Sequence, residues 1–184
     1  MRAGGGKAKG SNYEREVCKV LSLWLSDGAQ SDLFTRNILS GGAYTRRHSD
    51  RGMPGDLAAS HPLSHAFLER YFIECKHHRN LGLGDFLYHG MQRTAFGKIV
   101  GKCIEQSADA KRYYLIVAKQ NNRDALVFLP RTPGDLLTVR LRKQSRVRVL
   151  YHALHGGNVF CMRLSDFVAF VPPDAMMQIP YIAE

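Results

Sequence analysis

The sequence predicts an α/β protein with a central mixed β-sheet flanked by helices and a β-rich C-terminal extension. Three features carry that reading. An amphipathic helix stands near the start of the chain. Short runs at Tyr71-Phe-Ile73, Tyr113-Tyr-Leu-Ile-Val-Ala118 and Ala125-Leu-Val-Phe-Leu129 have the β-branched and aromatic character of buried strands. A helical stretch separates the first two of these runs, and helices alternating with strands are the mark of an α/β layer architecture. With 184 residues the chain is long enough for one domain with a substantial core. We divide it into a flexible basic arm (1–10), a core (11–130) and a basic, β-rich extension of the same domain (131–184).

The elements follow in order. Ser11-Asn12 is placed to cap a helix from about Tyr13 to Ser26, which Asp27-Gly28 ends. At about 100° per residue, Val17, Val20, Leu21, Trp24 and Leu25 form one apolar stripe. Glu14 projects from the edge of that stripe, whereas Glu16 points well away from it; both also complement the positive helix N-terminus. A short strand, Leu33-Phe-Thr-Arg36, precedes a loop rich in glycine and arginine that carries Arg46, Arg47 and Arg51 within reach of phosphates. The chain then enters a short apolar strand, Asp56-Leu-Ala-Ala59, and a linker after His61-Pro62 leads to the strand ending in Glu74-Cys-Lys-His-His78. Asn80-Leu-Gly-Leu-Gly84 is a turn, and the helical pattern of Asp85–Lys111 is clearest from Ala95 to Ala110.

In the extension, Leu136–Arg142 and Arg146–His152 alternate as strands do. A turn at Ala153–Gly157 leads into Asn158-Val-Phe-Cys-Met162, then a short helix at Leu164–Phe170 and an extended tail from Val171.

A net charge of +10 and a pI near 9.7 suit a polyanionic partner, nucleic acid before acidic membrane. Arg131, Arg140, Arg142, Lys143, Arg146 and Arg148 stand against the single acid Asp135 in their stretch. Cys18, Cys75, Cys103 and Cys161 are scattered singly, which reads as reduced, buried thiols of a cytosolic protein and not a disulfide framework. No apolar run approaches the roughly 20 residues needed to span a bilayer, and the first ten residues lack the apolar region of a secretory signal.

The chemistry concentrates where the Tyr71 strand ends. Side chains alternate across a strand, so Glu74 and Lys76 share a face, about 6.6 Å apart along the chain, and Cys75 faces the other way with Tyr71 and Ile73. An acid and an amine at the open end of an apolar strand, with a second carboxylate at Asp56, are what a site needs to hold a divalent metal and position a water. A helix bearing Glu14, a strand beginning at Asp56, a strand ending in Glu74-x-Lys76, a helix and a strand together resemble the PD-(D/E)xK nuclease superfamily, the restriction-endonuclease-like fold. Within it, Lys9-Gly-Ser-Asn-Tyr-Glu-Arg-Glu-Val17 resembles the opening of archaeal Holliday-junction resolvases, a likeness that covers roughly residues 9–120. The Pro-Asp of the superfamily name is Pro54-Gly-Asp56 here, and the interval from Asp56 to Glu74 is longer than in compact resolvases, which implies a different connecting hairpin.

The resemblance implies a catalytic set of Glu14, Asp56, Glu74 and Lys76. Mg²⁺, with Mn²⁺ as substitute, would be held by Asp56, Glu74 and the backbone carbonyl of Cys75, and Glu14 would serve a second ion. DNA contacts fall to Arg15, Arg46, Arg47, Arg51, His78, Arg79, Arg140, Arg142, Lys143 and Arg146. Branched DNA is the implied partner, and two opposed cuts imply a homodimer, with the apolar tail around Phe167–Met177 as a contact surface. Gln106, on the helix after the site, is either a polar residue near the phosphate or an ordinary exposed glutamine.

Competing readings are a surface ion pair at Glu74 and Lys76, worth little energetically, a sequence-specific or repair endonuclease, and a DNA-binding module with a degenerate site. Zinc is disfavoured because alternation sends His77 with Cys75 and His78 with Lys76, and no second Cys/His pair stands at ligand spacing. A P-loop is absent, since Gly97-Lys98 and Gly101-Lys102 are followed by Ile99 and Cys103.

Overall fold

The computed structural model describes residues 5–38, 54–82, 94–130, 133, 150–154 and 157–182. Its elements are α1 (Gly5–Leu25), β1 (Phe34–Arg36), β2 (Leu57–Ala59), α2 (Pro62–Arg70), β3 (Tyr71–His78), α3 (Ala95–Asp109), β4 (Tyr113–Gln120), β5 (Leu126–Pro130), β6 (Leu150–Leu154), β7 (Gly157–Arg163), α4 (Leu164–Phe170) and α5 (Pro173–Met177). The main sheet is mixed and five-stranded, in the order β3-β4-β5-β7-β6, and β1 and β2 form a separate antiparallel pair. β3 and β4 run parallel, joined through α3, and the remaining neighbours are antiparallel. Because β7 lies between β5 and β6, residues from the C-terminal third complete the same sheet as the Tyr71 strand.

Alternation along the central strands divides the interior in two. One face of Tyr71, Ile73, Cys75, Leu115, Val117 and Phe160 packs with Val17, Leu21 and Trp24 of α1, Phe67 of α2, and Phe167 and Met176 of the last two helices. The other face, with Phe72, Tyr114, Ile116 and Phe128, receives Phe96, Val100 and Cys103 of α3. Helices thus cover both sides of the sheet. Each buried aliphatic or aromatic side chain contributes about 1.5–3 kcal/mol of transfer free energy. Of the α1 stripe, Val17, Leu21, Trp24 and Leu25 are buried and Val20 is half-buried.

Four expectations are corrected. First, α1 begins at Gly5, so Ser11-Asn12 is helix interior and not a cap, and residues 5–10 of the expected arm are helical. Asn12 accepts a hydrogen bond from Arg15 instead, and Lys9 reaches Asn121 across the molecule, holding the first turns down. The far end is as expected: Asp27 (φ 56°) and Gly28 (φ 85°) turn left-handed, and the Gly28 N–H reaches the Leu23 carbonyl at 2.7 Å.

Second, the link from Asp56 to Glu74 is a helix, not a hairpin or linker. His61 caps α2 by accepting from the Leu63 N–H, Ser64 answers from the third position, and Pro62 stands at the helix start, where its missing N–H costs nothing. Third, the tail is not simply extended, since Pro173–Met177 forms a helix. Fourth, much of the apolar tail serves the core of its own chain. Phe167, Val171, Ala175 and Met176 are buried in the chain's own core. Trp24 Nε1 donates to the Val171 carbonyl at 2.7 Å, and the Tyr71 hydroxyl donates to the Met176 carbonyl at 3.1 Å.

The expected strand Leu136–Arg142 and the helical pattern over 85–93 lie outside the described residues. Among the described residues, no helix is long and apolar enough to cross a membrane. All four cysteines are buried and free.

Candidate active site

β3 supplies two functional side chains and also the rail that seats the third. Its inner edge is paired with β4; its outer edge meets the chain at Gly55-Asp56. The Asp56 N–H donates to the Ile73 carbonyl at 2.8 Å, and the Cys75 N–H donates to Asp56 Oδ2 at 2.8 Å. N–H and C=O of one strand residue point to the same edge, so the Cys75 carbonyl opens on the side where Asp56 sits. This approach needs glycine at 55. Its φ is +109°, and a Cβ there would come within 2.7 Å of the Ile73 carbonyl oxygen. Asn37, buried at the end of β1, completes the seat. Its Nδ2 donates to the Gly55 carbonyl at 2.9 Å and its N–H to the Asp56 carbonyl at 2.8 Å.

On this frame Lys76 Nζ forms an ion pair with Glu74 Oε1 and stands 3.7 Å from Asp56 Oδ2. Asp56 is buried, and Glu74 and Lys76 are half-buried. Burial and the neighbouring Asp56 charge raise the Glu74 pKa, against the opposing pull of Lys76 and, more weakly, of Lys102 on α3. For Lys76 burial works to lower the pKa, but the two carboxylates outweigh it and the pKa rises. Two carboxylates crowded round one ammonium in a poorly solvated place form a strong cation trap.

The donor set fits a hard divalent ion: Asp56 and Glu74 offer carboxylate oxygens, and the Cys75 carbonyl opens on the Asp56 edge. Among the described residues no group of three or more His, Cys, Asp and Glu side chains could hold a metal, so an ion at this place would need a backbone oxygen or water as well. The Cys75 thiol contributes nothing ionic, since burial pushes its pKa well up; burial likewise pushes Cys18 up to about 12.

Glu14 forms a half-buried ion pair with Arg36 of β1. Arg15, His78 and Arg79 are exposed. Arg46, Arg47, Arg51, Arg140, Arg142, Lys143 and Arg146 lie outside the described residues. Gln106 is half-buried on α3. Sequence reasoning missed Asn37, Arg36 and Lys102. Asn37 and Arg36 follow the Leu33-Phe strand signal, but nothing local says that an amide there will hold a glycine eighteen positions on.

The family model described as "Phage putative PDDEXK endonuclease" matches residues 5–178, nearly the whole chain. The chain belongs to the PD-(D/E)xK nucleases. Neither a curated protein nor a solved structure matches it. This PD-(D/E)xK nuclease is therefore a phosphodiester hydrolase by family, and its match extends through β7, α4 and α5, beyond the stretch that resembles resolvases.

Proposed function

We propose that the chain is a Mg²⁺-dependent endodeoxyribonuclease, with Mn²⁺ as an effective substitute, whose centre is Asp56, Glu74 and Lys76. The observation that carries this is the meeting of both carboxylates on one half-buried ammonium at the open end of β3. Asp56, Glu74 and the Cys75 carbonyl hold the ion, and Glu14, once it leaves Arg36, serves a second ion or its water shell. A bound divalent ion supplies Lewis-acid stabilisation of charge at the attacking and leaving oxygens.

Lys76 does the rest. As an ammonium it offsets charge on the phosphate and orients the attacking water through Nζ–H. Were the two carboxylates to hold a cation, they would raise the Lys76 pKa less, and burial would then favour the free amine. In that state Nζ can take a proton from water. Arg15, His78 and Arg79 on the described surface, with Arg46, Arg47, Arg51, Arg140, Arg142, Lys143 and Arg146, bind the DNA backbone.

Within this class we favour a structure-selective, junction-resolving enzyme acting as a homodimer on branched DNA and leaving 5′-phosphate and 3′-hydroxyl ends, on the strength of the Glu-Arg-Glu opening of α1. A sequence-specific or repair endonuclease is the second reading. It gains from the core packing of Phe167, Val171, Ala175 and Met176, which leaves less of the tail's apolar surface for a partner copy.

The test is cleavage of matched four-way junction, linear duplex and single-stranded DNA with Mg²⁺, for wild type and for Glu74→Ala and Lys76→Ala. Paired symmetric nicks confined to the junction, lost in both variants, support the resolvase. Cuts in linear duplex at defined sequences move the enzyme to the second reading. Tight binding without cutting in any metal overturns the assignment of the centre. Lys76→Ala should lower the rate at least about 100-fold, the scale of one positioned acid–base group, with DNA affinity largely kept.

A further inference from the structure

The parallel strands β3 and β4 finish together, with His77 opposite Lys119 and His78 opposite Gln120, and the Asn121 N–H closes this end on the His78 carbonyl at 3.1 Å. Three basic side chains gather there from three elements. Lys9, from the first turns of α1, donates to Asn121 Oδ1, and His77 hydrogen-bonds the same Asn121 side chain. The His77 ring lies 5.1 Å from the ring of Tyr13, and Lys119 Nζ stands 5.8 Å from that ring's centroid. Glu16 is the acid within reach, 3.4 Å from Lys119 and 58% exposed.

Nothing in the core calls for this arrangement. Lys9 and Lys119 against Glu16 leave positive charge over, and the Lys119–Glu16 pair is an exposed contact of small value. The fields of Lys9 and Lys119 do converge, since both, after burial, hold His77 below its usual pKa.

We propose that Lys9, His77 and Lys119, organised by Asn121 and the Tyr13 ring, form a second phosphate site at the ends of β3 and β4 that grips a non-scissile backbone phosphate of the DNA. It rests on the nuclease reading for its ligand and gives α1 a second duty, carrying Lys9 to the end of β4. A contact to phosphate fixes the register of the strand without reading its sequence.

The test separates this site from the catalytic one. Binding of a fluorescein-labelled DNA duplex is measured by anisotropy in EDTA, over a range of salt, with Glu74→Ala as parent. Lys9→Ala/Lys119→Ala added to the parent should weaken binding about tenfold and reduce the log–log salt slope by about one. Lys19→Ala, on the same helix but away from the cluster, should change neither. Lys9→Gln/Lys119→Gln, with its melting temperature checked, guards against loss of fold and should repeat the result. Unchanged affinity and slope in both double variants overturn the proposal. In the otherwise wild-type enzyme with Mg²⁺, the same pair should raise KM and leave kcat within about twofold, because the interaction is made equally in ground and transition states. If wild type cuts no DNA in any metal while the lysines still govern affinity, the nuclease reading fails and the phosphate site stands.

Discussion

Gly55 carries the sharpest steric demand near the centre, because its backbone lies against the Ile73 carbonyl and its φ is positive. Gly55→Ala should lose stability by about 1–3 kcal/mol and reduce cleavage more than that loss explains, since Asp56 must move with its neighbour. Urea unfolding and steady-state rates on the same preparation would check both. Glu74 makes a second prediction. Its folded pKa is raised above its usual 4.5 by burial and by Asp56, so the native state holds that proton more tightly than the unfolded chain. The corresponding stability is complete below the unfolded value and is lost as pH rises through the raised one. In EDTA the melting temperature of wild type should fall across that window, and Glu74→Gln should flatten the fall. Adding Mg²⁺ above the window should restore wild type but not the variant, by roughly 1–3 kcal/mol at ten to a hundred times its dissociation constant. At this scale the Glu74-x-Lys76 pair was legible because a strand's alternation is strict. Asn37 was not, because its amide answers to a backbone carbonyl brought near only by folding.

Elements repeat that contrast. The run Tyr113–Ala118 reads as a buried strand because its residues are apolar throughout, as a strand covered on both faces must be. α2 escaped because its apolar residues are few, although His61, Pro62 and Ser64 spell a helix start. Its importance is out of proportion to its length. Phe67 is fully buried, stacks on Tyr71 at 4.7 Å, and meets Trp24 and Phe34 edge-on. Phe67→Ala should cost about 3–5 kcal/mol in equilibrium unfolding, an aromatic truncation in a site walled by three elements. The start of α1 was misjudged for a related reason. Three glycines argue against a helix locally, while the anchor of Lys9 on Asn121 is 112 positions away in the chain.

Across the whole molecule, two helical layers enclose a sheet whose outer strand, β3, carries Glu74 and Lys76, and the last helices close the α1 side. The family match over residues 5–178 follows the same extent, so the C-terminal third is structural as well as basic. Sedimentation with and without a four-way junction would show whether two copies assemble. A last consequence comes from Asn37. Its two hydrogen bonds to Gly55 and Asp56 join the chain where it leaves β1 to the chain where it returns, so the arginine-bearing interval between is stapled shut at its neck. With the neck closed at Asn37, Gly55 and Asp56, the sequence between can change while the carboxylate keeps its seat on β3.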